Sequence, residues 1–307
     1  MNEYEFILED RIAKIKQIDE QYDLRSNAYI AFSGGKDSVI VHHLVDLALP
    51  DNRIPRVYLN TGIEYSNIKK YVEYLSKNDD RIILLNSNVN IKKMLKENGY
   101  PFKSKEHSER VYEFNKNSTA LYIKKYITGI DSNGNKSFKK CPNILLYQFK
   151  EKGKYNYGHL CCHKLKKEPS KKWAKENNKN ITITGMRKEE GGQRSNLNCI
   201  YTDAKGNLKK FHPLLIIDEK FEKEFIKRND IKLCKLYYSP YNFKRTGCKG
   251  CPFNMDLQKD LEVMYQLLPN EYYQCINLWK PVYDEYIRIG YRLKQYPHLK
   301  PKLKKLF

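Results

Sequence analysis

Two groups of residues in this sequence have side chains and spacings suited to chemistry. The first is the run Ser33-Gly34-Gly35-Lys36-Asp37-Ser38, and the second is an adjacent pair, Cys161 and Cys162, with a C-x-x-C pair, Cys248 and Cys251. Glycines before a helix bring backbone N–H groups close to an anion. Thiolates are soft ligands for zinc or iron–sulfur clusters. The sequence therefore predicts an anion-binding loop and a metal or cluster site.

The glycine-rich run offers several groups that suit a phosphate. Lys36 can neutralise phosphate charge, Ser33 and Ser38 can donate hydroxyl hydrogen bonds, and Asp37 can orient the loop or hold Mg²⁺. The spacing is not that of a Walker A loop, G-x-x-x-x-G-K-[ST]. An ordinary turn with a capping serine or aspartate is the alternative interpretation.

The four cysteines leave three interpretations open. Adjacent cysteines are awkward for a tetrahedral zinc site, which favours C-x-x-C on both sides, so the spacing favours a four-thiolate iron–sulfur cluster. Zinc and four unligated thiols are the alternatives. Cys141, Cys199 and Cys234 are predicted to be packing residues, because free cysteine behaves as a small hydrophobe.

These residues must be positioned by alternating strands and helices. Apolar runs at Ala28–Phe32, Arg56–Leu59 and Arg81–Leu85 each precede a helical pattern, and strand character returns at Asn180–Thr184 and Leu214–Ile217. Such alternation predicts an α/β fold with a parallel sheet and flanking helices.

The same pass along the chain predicts its domains. Residues 1–255 are expected to form the catalytic domain, with an insertion or lid at 104–160 that contains a turn at Asp131-Ser132-Asn133-Gly134. Residues 256–307 are expected to form a helical C-terminal appendage, since the spacing is helical from Asp256 to Leu293.

Composition limits the partners. The chain has 57 Lys and Arg against 36 Asp and Glu, which gives a formal charge of +21. Such a charge attracts polyanions. Codon bias in an A/T-rich genome is the alternative source of the lysines. Lys300–Phe307 is expected to be a solvated tail or a polyanion contact. With no apolar run of about 18 residues and no leader pattern, we expect no membrane partner and a cytoplasmic protein. The eight cysteines would be reduced there.

Three segments carry a resemblance to known proteins. The glycine-rich run resembles the PP-loop of ATP pyrophosphatases and sulfonucleotide reductases. Asn60-Thr61-Gly62-Ile63-Glu64 is similar to the D-T-G-x-E segment of the phosphoadenosine phosphosulfate reductase family, with Asn60 in place of Asp. Thr184-Gly185-Met186-Arg187-Lys188-Glu189-Glu190, followed by Arg194, resembles that family's T-G-x-R-x-x-E-x-x-x-R stretch.

This resemblance implies a PP-loop fold, similar to adenine nucleotide alpha hydrolases, with a site for ATP or a sulfonucleotide. Lys36, Asp37 and Arg187 would be catalytic. The implied nucleotide-binding residues are Ser33, Gly34, Gly35, Lys36, Asp37, Ser38, Thr61, Gly62, Glu64, Gly185, Arg187 and Arg194.

The cysteines carry a second resemblance. The stretch Cys161–Pro169 together with Cys248 and Cys251 resembles the [4Fe–4S] signature of assimilatory adenylylsulfate reductases, although Leu165 stands where that family usually has Arg. The resemblance implies a [4Fe–4S] cluster held by Cys161, Cys162, Cys248 and Cys251.

One departure from the family affects the predicted reaction. Sulfonucleotide reductases use a nucleophilic cysteine in an E-C-G-L-H motif, and this sequence has none; Cys275 lies in a helical pattern and is predicted to be buried. We therefore predict ATP-dependent adenylation and sulfur transfer to a nucleic-acid acceptor, with a sulfur or electron donor protein. The alternatives are a sulfonucleotide reductase and a non-catalytic nucleotide- or nucleic-acid-binding subunit.

Overall fold

The computed structural model describes residues 2–190 and 194–299. The predicted tail at 300–307 lies outside them. The chain has two compact units, a first unit of Met1–Ser87 with Glu168–Gly247 and a second unit of Asn88–Lys167 with Cys248–Phe307. That residues 1–255 act as one catalytic domain stays a prediction.

The first unit is an α/β sandwich around one sheet. Its six strands are β1 Ala28–Ala31, β2 Arg56–Asn60, β3 Ile82–Asn86, β4 Ile181–Ile183, β5 Ile200–Thr202 and β6 Leu208–Phe211. Its helices are α1 Glu3–Tyr22, α2 Leu24–Asn27, α3 Lys36–Ala48, α4 Ser66–Asn78, α8 Glu168–Glu176 and α9 Glu219–Arg228, with short 3-10 turns at Lys188–Glu190 and Lys235–Tyr237.

The strands lie in the order β3-β2-β1-β4-β6-β5. All neighbours are parallel except β5 and β6, which pair antiparallel. Successive strands add outward from β1 on one side, β1 to β2 to β3, and then the chain returns to β1's other edge with β4. The carboxyl ends of β1 and β4 therefore lie side by side where the strand order switches, which is where open α/β sheets form their ligand crevices.

Side-chain alternation along β1 explains why helices cover both faces of the sheet. Tyr29 packs with Val57 and Ala174, and its ring lies 5.6 Å from that of Trp173 on α8. Phe32, just beyond the strand and of opposite parity, approaches His42 on α3, with ring centroids 6.0 Å apart. A strand buried on both faces reads as a continuous apolar run, which is why β1 and β2 were visible in the sequence.

The second unit is helical. Its helices are α5 Ile91–Asn98, α6 Lys105–Lys116, α7 Leu121–Thr128, α10 Leu257–Leu267 and α11 Pro269–Arg288, with 3-10 turns at Asn143–Phe149 and Pro297–Leu299 and a π-helical turn at His163–Lys167. Phe102 joins its two segments, because its ring lies 4.4 Å from Tyr157 and 4.7 Å from Tyr286 of α11.

These elements confirm the predicted fold class, a mostly parallel α/β sheet with flanking helices and helices at the C-terminal end. The predicted turn at Asp131–Gly134 is also confirmed, since Gly134 N–H donates to the Asp131 carbonyl at 3.2 Å. The insertion holds α6 and α7, while its role as a lid stays a prediction. In the described part of the chain, no helix is long and apolar enough to cross a bilayer.

The strand predicted at Leu214–Ile217 is wrong. These residues form a turn, in which Leu215 N–H donates to the His212 carbonyl at 3.2 Å and Ile217 N–H to the Leu214 carbonyl at 3.1 Å. The strand lies earlier, at β6, and Pro213 has no N–H with which to continue the ladder. The apolar run is buried without being a strand, because Leu214 and Ile217 pack into the core from the turn.

A buried histidine in the second unit makes the fold sensitive to acid. His107 is fully buried between the hydroxyl of Tyr126, 2.9 Å from Nδ1, and Oε1 of Gln148, 2.8 Å from Nε2. Burial lowers its pKa from 6.5 to about 4. Between these values the unfolded chain binds the extra proton, so stability is present at neutral pH and is lost as the pH falls.

We expect the free energy of unfolding in urea to fall from pH 7 to pH 5, with His107 contributing about 2 kcal/mol. His42 and His212 act in the same direction, because burial lowers the pKa of each to about 4. A His107→Gln variant should lose its share of the pH dependence and keep the rest. An unchanged pH dependence in this variant would contradict the assignment.

Candidate functional site

The glycine-rich run connects β1 to α3 as a loop that closes on itself. Gly34 has a φ of +69°, and a Cβ there would overlap a methyl group of Val72, so the turn requires glycine. Ser38 is buried, and its hydroxyl accepts from Ser33 N–H at 3.1 Å and donates to the Gly35 carbonyl at 2.8 Å. Ser38 thus fixes the loop from inside.

The N-terminus of α3 is capped by a distant hydroxyl. Gly35 is the N-cap residue and supplies no side chain. Instead, Lys36 N–H donates to Oη of Tyr237 at 3.0 Å, and this oxygen lies 2.6 Å from Oγ1 of Thr246. Tyr237 and Thr246 therefore belong to the candidate site, although neither was predicted from the sequence.

Two predicted phosphate ligands meet at one carboxylate. Lys36 Nζ lies 2.8 Å from Oε1 of Glu222, and Arg187 Nη2 lies 3.1 Å from its Oε2. Glu222 lies on α9 and is 1% exposed. Burial raises the pKa of its carboxyl, and the two cations offset only part of this rise. Glu222 therefore holds both cations in place.

Arg187 is further restrained by two other carboxylates. Its Nε lies 3.2 Å from Oδ1 of Asp37, within ion-pair range, and its Nη1 donates to Oε2 of Glu189 at 2.8 Å. The guanidinium is buried, at 6% exposure. A planar guanidinium surrounded in this way has a fixed orientation, as bidentate recognition of an oxyanion requires.

Gly185 explains how the end of β4 comes so close to the loop. A Cβ at this position would lie 2.8 Å from the carbonyl carbon of Asp37, closer than real side chains approach. Only glycine lets the two backbones meet here. The predicted glycine of the Thr184-Gly185 pair therefore acts through the backbone packing that brings Arg187 to the loop.

The Asn60–Glu64 segment follows β2 and is held by its own side chains. The buried carboxylate of Glu64 accepts from Thr61 N–H at 2.9 Å and from Thr61 Oγ1 at 2.7 Å. Gly62, with a φ of +81°, donates its N–H to Oδ1 of Asn60 at 3.1 Å. Thr61 and Glu64 thus brace this loop, while a direct contact of Thr61, Gly62 or Glu64 with a nucleotide stays a prediction.

Arg194 contributes further positive charge near the loop. Burial lowers its pKa, and the neighbouring Arg245 lowers it further, while Asp37 opposes them. Arg245 lies in the segment that ends at the first cysteine of the C-x-x-C pair, and its charge was also missed from the sequence.

The four predicted ligand cysteines all belong to the second unit, where they influence one another electrostatically. A hydrogen bond with Cys162 and burial raise the pKa of Cys161, and Cys251 and Cys248 raise it further. The pKa of Cys162 is lowered to about 6 by that same hydrogen bond, with help from Lys105, Lys166 and Lys167.

These thiols influence one another, but the structure does not place them as a metal site. Among the residues that it describes, no group of three or more His, Cys, Asp or Glu side chains is placed to hold a metal ion. A metal ion or cluster at these cysteines stays a prediction.

Helix α11 fixes the loop that carries Cys248 and Cys251. Trp279 Nε1 donates to the Lys249 carbonyl at 3.1 Å, the hydroxyl of Tyr283 donates to the Gly250 carbonyl, and the hydroxyl of Tyr286 donates to the Pro252 carbonyl at 3.0 Å. Three carbonyls of this loop, those of residues 249, 250 and 252, thus accept hydrogen bonds from side chains of one helix.

Three of the four remaining cysteines are buried packing residues. Cys141, Cys234 and Cys275 are buried, as predicted, at 1–2% exposure, whereas Cys199 is partly exposed. Burial raises the pKa of Cys275 to about 12. Its sulfur lies against Gly250, where an added Cβ would come within 2.8 Å. Cys275 is therefore a neutral, packed thiol.

The sequence matches the model of the phosphoadenosine phosphosulfate reductase domain over residues 27–135 and 136–254. The chain belongs to this family. In this member of the phosphoadenosine phosphosulfate reductase family, the matched region includes the glycine-rich loop, Glu222 and all four clustered cysteines. No curated protein sequence matches the chain.

Several solved structures are similar to this family member. Phosphoadenylyl-sulfate reductase from Candida auris is 15% identical, with 73% of this chain and 81% of that chain covered and a TM-score of 0.41. FMN adenylyltransferase from Candida glabrata is 14% identical, covering 79% and 62%, at 0.46. NH₃-dependent NAD synthetase from Campylobacter jejuni is 12% identical, covering 94% and 97%, at 0.43.

Proposed function

We propose that this chain is an enzyme that binds an adenine nucleotide at the glycine-rich loop and uses it in sulfur chemistry. The reaction we propose is ATP-dependent adenylation of a nucleic-acid acceptor followed by sulfur transfer. The observation that carries the proposal is the convergence of Lys36 and Arg187 on buried Glu222, beside the loop.

A polyphosphate is the ligand that fits this convergence. Lys36 and Arg187 come from two different elements, and each already contacts an oxygen of the same carboxylate. Phosphate oxygens can take the place of those oxygens, since guanidinium and ammonium bind both anions by charge-assisted hydrogen bonds. Glu222 would then be a counter-ion that holds the cations ready until the nucleotide arrives.

The proposed first step requires mainly electrostatic help. An acceptor oxygen attacks the α-phosphorus of ATP, the bond from that phosphorus to the bridging oxygen breaks, and pyrophosphate leaves. Lys36 and Arg187 neutralise the charge that develops on this leaving group. Asp37 can hold Mg²⁺ at the same phosphates, as Mg²⁺ commonly binds one or two carboxylates together with substrate phosphates.

The second step transfers sulfur without a change of oxidation state. A sulfide supplied by a sulfur donor protein attacks the adenylated atom of the acceptor, the bond from that atom to the AMP oxygen breaks, and AMP leaves with the electron pair. In this step the chain's residues bind and orient the two substrates. Proximity of this kind is a large part of enzymatic acceleration.

Cys161, Cys162, Cys248 and Cys251 are the residues that would hold a [4Fe–4S] cluster in this proposal. Two features of the second unit support it. Cys162, Cys251 and Cys248 each raise the pKa of Cys161, and Lys166 and Lys167 favour the thiolate form of Cys162. Such a cluster, when bound, would supply labile sulfide or orient the substrate.

The sulfonucleotide reductase alternative is less well supported. That chemistry needs an attacking thiolate outside the cluster, and Cys275 is packed and neutral in α11, with a pKa raised to about 12. A reactive cysteine is exposed and lies beside positive charge. Cys275 does not meet the first condition.

We expect anaerobically purified protein to release pyrophosphate from ATP when nucleic acid is present. Lys36→Ala and Arg187→Ala should each weaken ATP binding by about 1.5–3 kcal/mol, the scale of charge-assisted hydrogen bonds, as measured by calorimetry. Lys69→Ala and Arg53→Ala are matched controls, because both side chains are exposed and lie on the same unit.

Three outcomes would contradict this proposal in different ways. Unchanged affinity in both site variants would place the phosphate site elsewhere. Sulfite released from phosphoadenylyl sulfate, with a sulfonate on Cys275, would establish the reductase. Nucleic acid retained at low salt without any turnover of ATP would indicate a non-catalytic subunit.

We also expect the anaerobic protein to be brown, with about four irons and four sulfides per chain. Cys248→Ser should lose the visible absorbance and lower stability, because the binding energy of a metal site is folding energy. Cys199→Ser, which changes a partly exposed thiol of the first unit, should keep both. A colourless protein with one zinc per chain would rule out the cluster.

A further inference from the structure

The second unit exposes large apolar side chains together with lysines between residues 121 and 144. The exposed fraction is 74% for Leu121 and 50% for Ile130, and Phe138 is fully exposed. Tyr122 and Ile144 are also exposed. Scattered single apolar residues on a surface are ordinary, but these five fall within one short segment of the second unit.

The charge on this segment is almost entirely positive. Its five lysines are Lys124, Lys125, Lys136, Lys139 and Lys140, and its one acidic residue is Asp131. The Asp131 carboxylate is directed into its own turn, where it accepts from the N–H groups of Asn133 at 2.9 Å and Asn135 at 2.8 Å. All five lysines are exposed, and Lys139 has a carboxylate beside it, Oε1 of Glu106 on α6 at 3.8 Å.

The backbone beneath these side chains is fixed. Ser137 N–H donates to the Gly129 carbonyl at 2.8 Å and Cys141 N–H to the Tyr126 carbonyl at 2.7 Å, both at the end of α7. Residues 138–140, Phe-Lys-Lys, project from between these two anchors. On the other side of the helix axis, Ile123 and Tyr126 are buried, so the exposed residues are not a core left open.

An arginine already lies over one of these rings. The guanidinium of Arg110, on α6, is 4.8 Å from the ring centre of Tyr122 at the start of α7. Cation and aromatic face are thereby presented together, as in surfaces that bind the backbone and bases of nucleic acids.

We propose that Arg110 and residues 121–144, here called the aromatic–lysine surface, bind single-stranded nucleic acid. Exposed rings can stack on unpaired bases while lysines pair with phosphates. A duplex hides its base faces, and cores of protein interfaces are depleted of lysine. The assignment of this strand as the sulfur acceptor rests on the proposed function; the binding does not.

The test is fluorescence anisotropy with a labelled single strand of about 16 nucleotides, without ATP, on the full chain. Phe138→Ala should weaken binding roughly tenfold, about 1.4 kcal/mol, while Phe6→Ala, which removes an exposed phenylalanine of α1, should not. The triple variant Lys136→Ala, Lys139→Ala, Lys140→Ala should weaken binding further and lower the slope against log salt by about 2.

The matched control for charge is Lys69→Ala, Lys70→Ala, Lys77→Ala on α4, which removes three exposed lysines from the first unit. Equal losses in both triple variants would mean general attraction to a basic protein and would overturn the proposal. Unchanged strand binding in Phe138→Ala would also overturn the proposal. If that variant kept the strand but lost binding to anionic phospholipid vesicles, the surface would be a membrane contact instead.

The proposed function and this surface can fail separately. If the protein releases no pyrophosphate but Phe138→Ala still weakens strand binding, the proposed binding surface is supported and the proposed adenylation is contradicted. If both hold, Phe138→Ala should raise the strand concentration needed for half-maximal pyrophosphate release and leave kcat within about twofold, because the substitution changes strand binding and leaves the glycine-rich loop intact.

Discussion

The candidate site depends on one buried carboxylate. Removing Glu222 from water is costly, and an isolated buried charge would be neutralised or expelled. It is tolerated because Lys36 and Arg187 lie within 3.1 Å of it. The same contacts keep the two cations converged at the carboxyl ends of β1 and β4, which no backbone constraint alone would do for two long, flexible side chains.

The sequence allowed the framework of this site to be predicted, because each part has a local signal. The glycines at 34 and 35 interrupt a strongly apolar strand, and Gly185 follows another. Glu222, Tyr237 and Thr246 could not be predicted in the same way. Glu222 lies in an ordinary amphipathic stretch, Glu219–Arg228, and only the packing of α9 shows which of its several glutamates is buried.

One strand was predicted wrongly because its only signal was an apolar run. Leu214–Ile217 is apolar because it is buried, and burial alone does not distinguish a strand from a turn. In the second unit, the helical spacing of apolar residues predicted the C-terminal helices as an appendage. Their contacts show that one of these helices also positions the cysteine loop. Trp279, Tyr283 and Tyr286 hold the backbone of the C-x-x-C loop, so α11 determines where Cys248 and Cys251 lie.

If Glu222 holds Lys36 and Arg187 in place for a nucleotide phosphate, removing its charge should weaken ATP binding. Calorimetry of ATP binding to Glu222→Gln measures this, with Lys36→Ala as the reference. Glutamine keeps the shape and a hydrogen-bond acceptor but removes the charge that holds the two cations together. We expect Kd for ATP to rise about tenfold or more in Glu222→Gln, as in Lys36→Ala. An unchanged or lower Kd would show that the two cations are positioned without this carboxylate.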